Sequence, residues 1–262
     1  APFENVVENN FNMTLLAINQ ASHTNGVAKQ HRDVSSKMFP GHQINAITNG
    51  VHAVTWTSEP FQKLYDNYID GWRKDNFMLR YSLNIPHDEL WKAHMDAKEL
   101  LLNFVNTRHN TDLDLDVLTI GFARRFAVYK RADLIFRDME RLIELSEEVG
   151  KIQVVMAGKA HPHDGPGIEK LKYILDLMHQ YRNRIKLVFL TNYDMMSAKL
   201  LVSGSDVWLN TPIRPREASG TSGMKATLNG VLNFSVLDGW WLEGWVEGVT
   251  GWSIGPAPHT RA

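Results

Sequence analysis

Five short apolar runs in the second half of the chain, separated by helical patterns, constrain the fold more than any other feature of the sequence. Continuous runs of Val, Ile, Leu and Phe are typical of strands buried on both faces of a parallel sheet. The runs are LDVLTIGFA (115–123), IQVVMAGKA (152–160), IKLVFLTN (185–192), SDVWLNTP (205–212) and VLNFSVL (231–237). Their alternation with helices predicts an α/β fold with helices on both faces of a parallel sheet.

Apolar residues at helical spacing predict the remaining elements. Four helices are expected between the strands, over 131–148, 167–181, 194–204 and 223–230. The first half predicts helices over 11–20 and 27–39, the second stopped by Pro40-Gly41, and mostly helical structure from 60 to 105 with Pro86 in a first turn. Between them, INAITNGVHAVTW (44–56) combines β-branched residues with an Asn-Gly turn, a pattern typical of strands.

The composition excludes several classes of function. The 262 residues carry a formal net charge of -1, so we expect no nucleic-acid partner. The absence of cysteine excludes disulfides and thiolate chemistry within the chain and fits a reducing compartment, for which we expect the cytoplasm. No apolar run is long enough to span a membrane, and APFENVVENN lacks the basic and apolar regions of a signal peptide.

Ligands of parallel sheets bind beyond the carboxyl ends of the strands, so the segments after the strands are the candidate site. After the first strand, Arg124, Arg125, Lys130 and Arg131 lie within eight positions. Arg125 suits a forked contact with a phosphate and Lys130 a point charge. Cations at the start of a helix interact unfavourably with the helix dipole, so a bound anion nearby would explain their presence. A solvated basic helix start is an equal alternative.

Two other strand ends carry weaker signals. After the second strand, Lys159 suits an anion or substrate contact. His161 and His163 stand in the same loop without an evident third ligand, so we expect a polar surface loop and no metal. After the third strand, Tyr193 suits stacking on a flat ring or capping of the sheet.

The segment EASGTSGMKATLNG (217–230) is the most informative. Gly220 and Gly223 allow close approach of a ligand to the backbone, and amides at a helix start can hold an anion. Lys225 follows as an electrostatic clamp or as a Schiff-base former. A magnesium-dependent nucleotide loop is disfavoured, because Ala226 follows the lysine where a hydroxyl would be required. A plain glycine-rich turn with a surface lysine is the other alternative.

At these residues the chain resembles the α-glucan phosphorylases, the glycogen and maltodextrin phosphorylase family. The resemblance covers nearly the whole chain and rests on five segments: EASGTSGMKATLNGVLNFSVLDG, RRFAVYKR, SHTNGVAKQHRDVSSKMF, TNGVHAVTW and VVMAGKAHP. The residues of these segments are most similar to those of the short bacterial and archaeal members. The resemblance implies a GT-B type fold with two facing Rossmann-like domains. It also implies a partial chain, with residues 1–84 as the end of the N-terminal domain and connector and residues 85–262 as an incomplete C-terminal domain.

The resemblance also implies roles for individual residues. Lys225 would carry pyridoxal phosphate, and Arg124, Thr221, Gly223 and Tyr193 would contact this cofactor. Arg125 and Lys130 would bind the substrate phosphate, and His31 would lie near the reacting end of the glucose. The remaining sugar contacts would be Glu217, Ser219 and Gly220. Three departures from the family concern the subfamily more than the function. Arg124 stands where many members have Lys, Ala127 where animal enzymes have His, and Gln30 where an aliphatic residue is common.

The expected activity is phosphorolysis of α-1,4-glucan ends to glucose 1-phosphate, with the cofactor phosphate as proton donor and acceptor. The expected partners are α-1,4-glucan and inorganic phosphate, with a homodimer as a further possibility. Two alternatives stay open. One is a GT-B glycosyltransferase that uses a nucleotide sugar, and the other is a non-catalytic fragment that binds glucan or phosphate.

Overall fold

Short elements make up the N-terminal part of the chain in the computed structural model, which describes residues 6–7 and 10–256. The predicted helices over 11–20 and 27–39 are both present, although each is shorter than predicted. The first begins at Met13 because the Asn12 side chain accepts hydrogen bonds from the backbone N–H groups of Thr14 and Leu15, both at 3.0 Å. The elements are β1 (Val6–Val7), β2 (Asn10–Phe11), α1 (Met13–Gln20), β3 (Asn25–Gly26), α2 (Lys29–Met38) and β4 (Asn45–Ala46).

The strand prediction for 44–56 is correct only for β4. Residues Ala53–Trp56 form a single helical turn, α3, instead. His52 caps this turn, since its Nδ1 atom accepts a hydrogen bond of 3.2 Å from the backbone of Thr55. The hydrogen bond from His52 therefore stabilises a helical turn where the β-branched residues favour a strand, and a strand pattern does not reveal such a cap.

A helical connector follows, as predicted for residues 60–105. It comprises α4 (Glu59–Tyr68), a 3-10 segment over Asn76–Asn84, and α5 (His87–His109), with Pro86 as the residue before the first turn rather than inside it. The first half of α5 packs with α4 around Trp72, while its second half packs on the large sheet. The predicted domain boundary lies between the 3-10 segment and α5, and the division into two domains stays a prediction.

Six parallel strands form the large sheet. The strands are β5 (Leu118–Ala123), β6 (Ile152–Ala157), β7 (Lys186–Leu190), β8 (Val207–Asn210), β9 (Leu232–Val236) and β10 (Gly251–Ile254). Their order across the sheet is β10-β9-β8-β5-β6-β7, with β5 paired to β6 from Leu118↔Ile152 to Ala123↔Ala157. The five predicted strands are confirmed, and β10 is an additional edge strand.

Helices cover both faces of this sheet. They are α6 (Met139–Glu148), α7 (Gly165–Tyr181), α8 (Met195–Gly204), α9 (Ser222–Thr227) and α10 (Trp241–Gly244). Val155 and Ala157 of β6 pack with α5, α8 and α9, whereas Val154 and Met156 pack with α6 and α7. All four side chains are fully buried, which stabilises the fold by about 1.5–3 kcal/mol for each larger side chain. The predicted α/β fold class is confirmed.

The predicted helix over 131–148 is wrong in its first half. Residues 134–136 form one 3-10 turn, and α6 begins only at Met139, capped by Asp138. Arg131 has a φ of 44°, outside the helical region. Its guanidinium donates to the carbonyl oxygens of Thr211 (2.9 Å) and Pro212 (3.0 Å), which ties this segment to the end of β8. Arg131 is therefore a structural residue and not part of an anion site.

Candidate functional site

A cavity of about 480 Å³ lies at the carboxyl edge of the large sheet, where the segments after β5, β7 and β8 meet. Nine of the twelve predicted site residues line it: Arg124, Arg125, Lys130, Tyr193, Glu217, Ser219, Gly220, Thr221 and Lys225. A larger cavity of about 680 Å³ lies at the opposite edge, between Trp91 and Trp252, and is mostly apolar. We take the smaller cavity as the candidate site because it gathers the cations and the glycine-rich loop.

Two buried cations share one carboxylate in this cavity. Arg124 Nη2 lies 3.0 Å from Glu217 Oε2, and Lys130 Nζ donates to the same oxygen. The side chains of Arg124 and Lys130 are 7% exposed and that of Glu217 is 11% exposed. Burial lowers the pKa of Arg124, and the charge of Glu217 opposes this effect. One carboxylate against two cations leaves the cluster with a net positive charge that suits an anionic ligand.

Arg124 also has a nitrogen available for a ligand. Its Nη1 atom is buried and has no hydrogen-bond partner among the described residues, and the same is true of Ser219 Oγ. A buried guanidinium nitrogen without a partner is costly, so a group that accepts its hydrogen bond is expected there.

The end of β5 is held in place by a close backbone contact. Gly158, directly after β6, has a φ of 149°, and a Cβ atom there would lie 2.0 Å from the carbonyl oxygen of Arg124. Phe126 donates its backbone N–H to Lys159 at 3.0 Å on the same side. Only glycine permits this approach, so the position of Arg124 depends on Gly158. Arg125 is exposed at the mouth of the cavity.

The loop that carries Glu217 and Ser219 is supported from behind. Asp238 accepts the backbone N–H of Glu217 at 3.0 Å, and Trp240 donates its backbone N–H to the carbonyl of Ser219 at 2.9 Å. Burial raises the pKa of Asp238 to about 6. Gly220 has a φ of 79°, and a Cβ atom there would lie 3.2 Å from Cγ of Glu217. The positive φ of Gly220 therefore favours glycine at this point of the loop.

Lys225 lies on α9 and points its ammonium at an aromatic ring. The Nζ atom is 3.8 Å from the ring centroid of Trp56. Burial lowers the pKa of Lys225, and no ion pair involves it among the described residues. A lowered pKa increases the neutral, nucleophilic fraction of an amine, as a Schiff-base former requires. Since α9 has only six residues, its dipole is weak, and the nearby cationic side chains contribute more to the attraction of an anion.

Three predicted residues do not line the cavity. His31 lies behind its wall, where its Nδ1 atom accepts the backbone N–H of Val27 at 3.0 Å. Lys159 is exposed in the loop after β6. Gly223 is buried, and a Cβ atom there would lie 2.4 Å from Oδ1 of Asn233, so it faces the sheet instead.

The structure adds four wall residues to which the sequence assigns no role: Val27, Asn49, Ala123 and Ala218. Ser222, a hydroxyl of the glycine-rich segment, also lines the cavity. Asn49 belongs to the quoted segment TNGVHAVTW, which assigns the residue no role. Asp238 lies behind the wall; it belongs to the quoted segment 217–239 and directly follows a predicted strand, but neither fact assigns it a role.

The described residues form neither a metal cluster nor a membrane-spanning helix. No three His, Asp or Glu side chains of the described chain come together as a metal site requires. Among the same residues, no helix combines the length and apolar content needed to cross a bilayer.

Comparison with known proteins identifies the family. The family model for carbohydrate phosphorylases matches residues 2–245. The chain is 44% identical to a maltodextrin phosphorylase of Thermococcus litoralis, with 94% of this chain and 32% of that protein covered. It is 38% identical to glycogen phosphorylases of Aquifex aeolicus and Mycobacterium tuberculosis, with 94% and 93% of this chain and 39% and 31% of those proteins covered. The chain therefore spans about a third of the length of these relatives.

The match runs through every segment that lines the cavity, from Val27 to Lys225. The parallel sheet covered on both faces agrees with the GT-B type fold of this family. The chain belongs to the carbohydrate phosphorylase family.

Proposed function

We propose that the protein containing this chain is an α-1,4-glucan phosphorylase. It would transfer the terminal glucosyl unit of glycogen or maltodextrin to inorganic phosphate and release glucose 1-phosphate. One observation carries the proposal: a single cavity gathers Arg124, Arg125, Lys130 and Lys225 beside one carboxylate, Glu217. Four cations in one cavity suit a reaction with two phosphate groups better than a reaction on a neutral substrate.

The residues present fit pyridoxal phosphate. Its phosphate would take the hydrogen bond of the unpartnered Arg124 Nη1 atom, together with the hydroxyl of Thr221. Lys225, with its lowered pKa, would supply the amine for the aldehyde, and Tyr193 lines the same cavity. When bound, this group supplies a phosphate whose second pKa of about 6 suits proton exchange near neutral pH.

Arg125 and Lys130 would bind the substrate phosphate. Two phosphates held in contact repel each other, by about 4 kcal/mol per pair of unit charges at 4 Å and an effective dielectric constant of 20. Arg125 is exposed at the mouth and presents a forked donor set, whereas Lys130 is buried and held by Glu217. Arg125 would thus bind the incoming anion at the mouth, and Lys130 would offset its charge from the buried side of the cavity.

Glu217 would bind the sugar and not attack it. Its Oε2 atom accepts from both Arg124 and Lys130, which leaves Oε1 for a hydroxyl of glucose. Of the described residues that line the cavity, Glu217 is the one acidic side chain. Hydrolysis by paired carboxylates needs a second acid about 5–10 Å away. The cavity therefore supports phosphorolysis over hydrolysis.

A nucleotide-sugar-dependent glycosyltransferase would use the same cations but has no need for an amine such as Lys225. A non-catalytic glucan-binding protein is the other alternative, since the chain spans only a third of its relatives. The glucan and phosphate partners, a homodimer and a cytoplasmic location all stay predictions.

The test is an assay of the natural-length protein with maltooligosaccharide and inorganic phosphate. Phosphorus NMR would follow the appearance of glucose 1-phosphate, with nucleotide sugars offered in a parallel reaction. We expect glucose 1-phosphate only when phosphate and glucan are both present. Glucosyl transfer from a nucleotide sugar would favour the first alternative, and no turnover with either donor would favour the second.

A further inference from the structure

Glu243 joins two parts of the chain that are about 200 residues apart. Its Oε1 atom accepts the backbone N–H of Lys29 at 2.9 Å, and its Oε2 atom accepts the hydroxyl of Thr48 at 2.8 Å. Both hydrogen bonds lie at the surface, although the side chain of Glu243 itself is only 19% exposed. The ammonium of Lys29 lies 3.9 Å away and is 71% exposed, so it adds little.

The first of these bonds caps a helix. Lys29 is the first residue of α2, and the preceding residue, Ala28, has no side chain that could accept a hydrogen bond from the helix start. The carboxylate of Glu243 takes that role from a distant part of the sequence, with the charge that a helix N-terminus favours. The second bond fixes Thr48, the residue directly before Asn49. Glu243 thus holds the segments of Val27 and Asn49, which form one wall of the cavity.

The other end of this connection leads to the opposite wall. Glu243 lies on α10, directly after the residues that support the Glu217 loop. Asp238 accepts from the backbone of Glu217, and Trp240 donates to the carbonyl of Ser219. A single short segment, 238–243, therefore touches both the loop of Glu217 and the segments of Val27 and Asn49.

We propose that Glu243 is a positioning residue that sets the width of the cavity between its two walls. It holds the wall of Val27 and Asn49 at a fixed distance from the Glu217 loop and so determines the affinity for the glucan end without touching it. The proposal deepens the proposed function and rests on it for its kinetic part. Its structural part, the fixed position of residues 25–50, is independent of any activity.

The test compares three variants of the natural-length protein. Glu243→Ala removes both hydrogen bonds, whereas Glu243→Gln keeps an acceptor for Lys29 and a partner for Thr48. Glu247→Ala is the matched control, because Glu247 lies four residues later, after α10, and accepts from Trp245 and Ser253 instead. The readouts are hydrogen exchange of peptides from residues 25–50, KM and kcat for maltooligosaccharide, and pyridoxal phosphate content.

For Glu243→Ala we expect hydrogen exchange over 25–50 and the KM for maltooligosaccharide to rise about tenfold, as the loss of two surface hydrogen bonds to a carboxylate allows. Cofactor content should stay unchanged, Glu243→Gln should restore most of the KM, and Glu247→Ala should match the unmodified protein. An unchanged exchange rate in Glu243→Ala, or an equal effect of Glu247→Ala, would overturn the proposal. A fall in kcat without a change in KM would also overturn it. If the unmodified protein makes no glucose 1-phosphate, the proposed function fails, while the exchange data still decide whether Glu243 holds the wall.

Discussion

Glu217→Gln is the substitution whose effect the structure defines most sharply. The carboxylate is the shared partner of Arg124 and Lys130, and all three side chains are nearly buried. Glutamine keeps the shape of the side chain and an acceptor oxygen but removes the negative charge. Two buried cations are then left beside each other without an ionic partner.

The expected loss of stability is large for one substitution. Removal of one partner from a buried ion pair costs about 3–5 kcal/mol, because the remaining charge is uncompensated. Since glutamine still accepts one hydrogen bond, we expect about 3 kcal/mol, the lower end of that range. The extra positive charge should at the same time strengthen phosphate binding. Phosphate stabilises both proteins, so it should reduce the loss by the difference between their binding free energies, which is about 1.4 kcal/mol if the variant binds phosphate tenfold more tightly.

The assay is urea unfolding of the natural-length protein in phosphate and in a phosphate-free buffer of equal ionic strength. Glu140→Gln is the control, because Glu140 pairs with Arg184 at the surface, where its side chain is 59% exposed. An exposed pair contributes about 0–1 kcal/mol, so this control should change little in either buffer. For each protein, the effect of phosphate is the free energy of unfolding in phosphate minus that in the phosphate-free buffer. The result to compare is this effect for Glu217→Gln against the same effect for the unmodified protein.

Two results would refute this reasoning. Equal stability of Glu217→Gln and the unmodified protein without phosphate would mean that the two cations do not depend on Glu217. A loss of stability that phosphate does not reduce would mean that these cations do not face the anion site.

Three further predictions concern single residues of the site. Arg125→Ala should raise the KM for phosphate about tenfold or more with cofactor content unchanged, as steady-state kinetics would reveal against the control Arg137→Ala. Asp238 has a raised pKa of about 6, so the folded state holds a proton that the unfolded state has lost. Its contribution to stability should therefore fall as the pH rises from about 4 to about 6, and Asp238→Asn should remove this slope from urea midpoints measured across that range. Gly223→Ala should destabilise the protein by about 1–3 kcal/mol in thermal unfolding, since its Cβ atom would overlap a buried amide, whereas Gly165→Ala, which meets open space, should not.

The sequence predicts the large sheet and the gathering of the candidate site for a physical reason. Strands buried on both faces must be continuously apolar, and the carboxyl ends of parallel strands meet at one edge. Residues that follow different strands, such as Arg124 and Glu217, are therefore close in space although they are distant in sequence. The resemblance to phosphorylases adds the roles of these residues, which the geometry alone does not assign.

Other features depend on tertiary contacts that local patterns do not contain. The first half of the segment 131–148 has helical spacing, but Arg131 binds carbonyl oxygens at the end of β8 and breaks the helix. Lys130 is held by Glu217 rather than free at the surface. Asn49 reaches the cavity from a segment more than 70 positions before the first cation. No periodicity in the sequence indicates such contacts.

We propose that Lys225 carries pyridoxal phosphate in a phosphorylase-type site. The most direct measurement is borohydride reduction of the natural-length protein, followed by mass mapping of the peptide that contains Lys225. A pyridoxyl adduct on Lys225, absent from other lysines and lost in Lys225→Ala, is the result that we predict. No adduct on Lys225 after incubation with pyridoxal phosphate, or an adduct on a different lysine, would contradict the account.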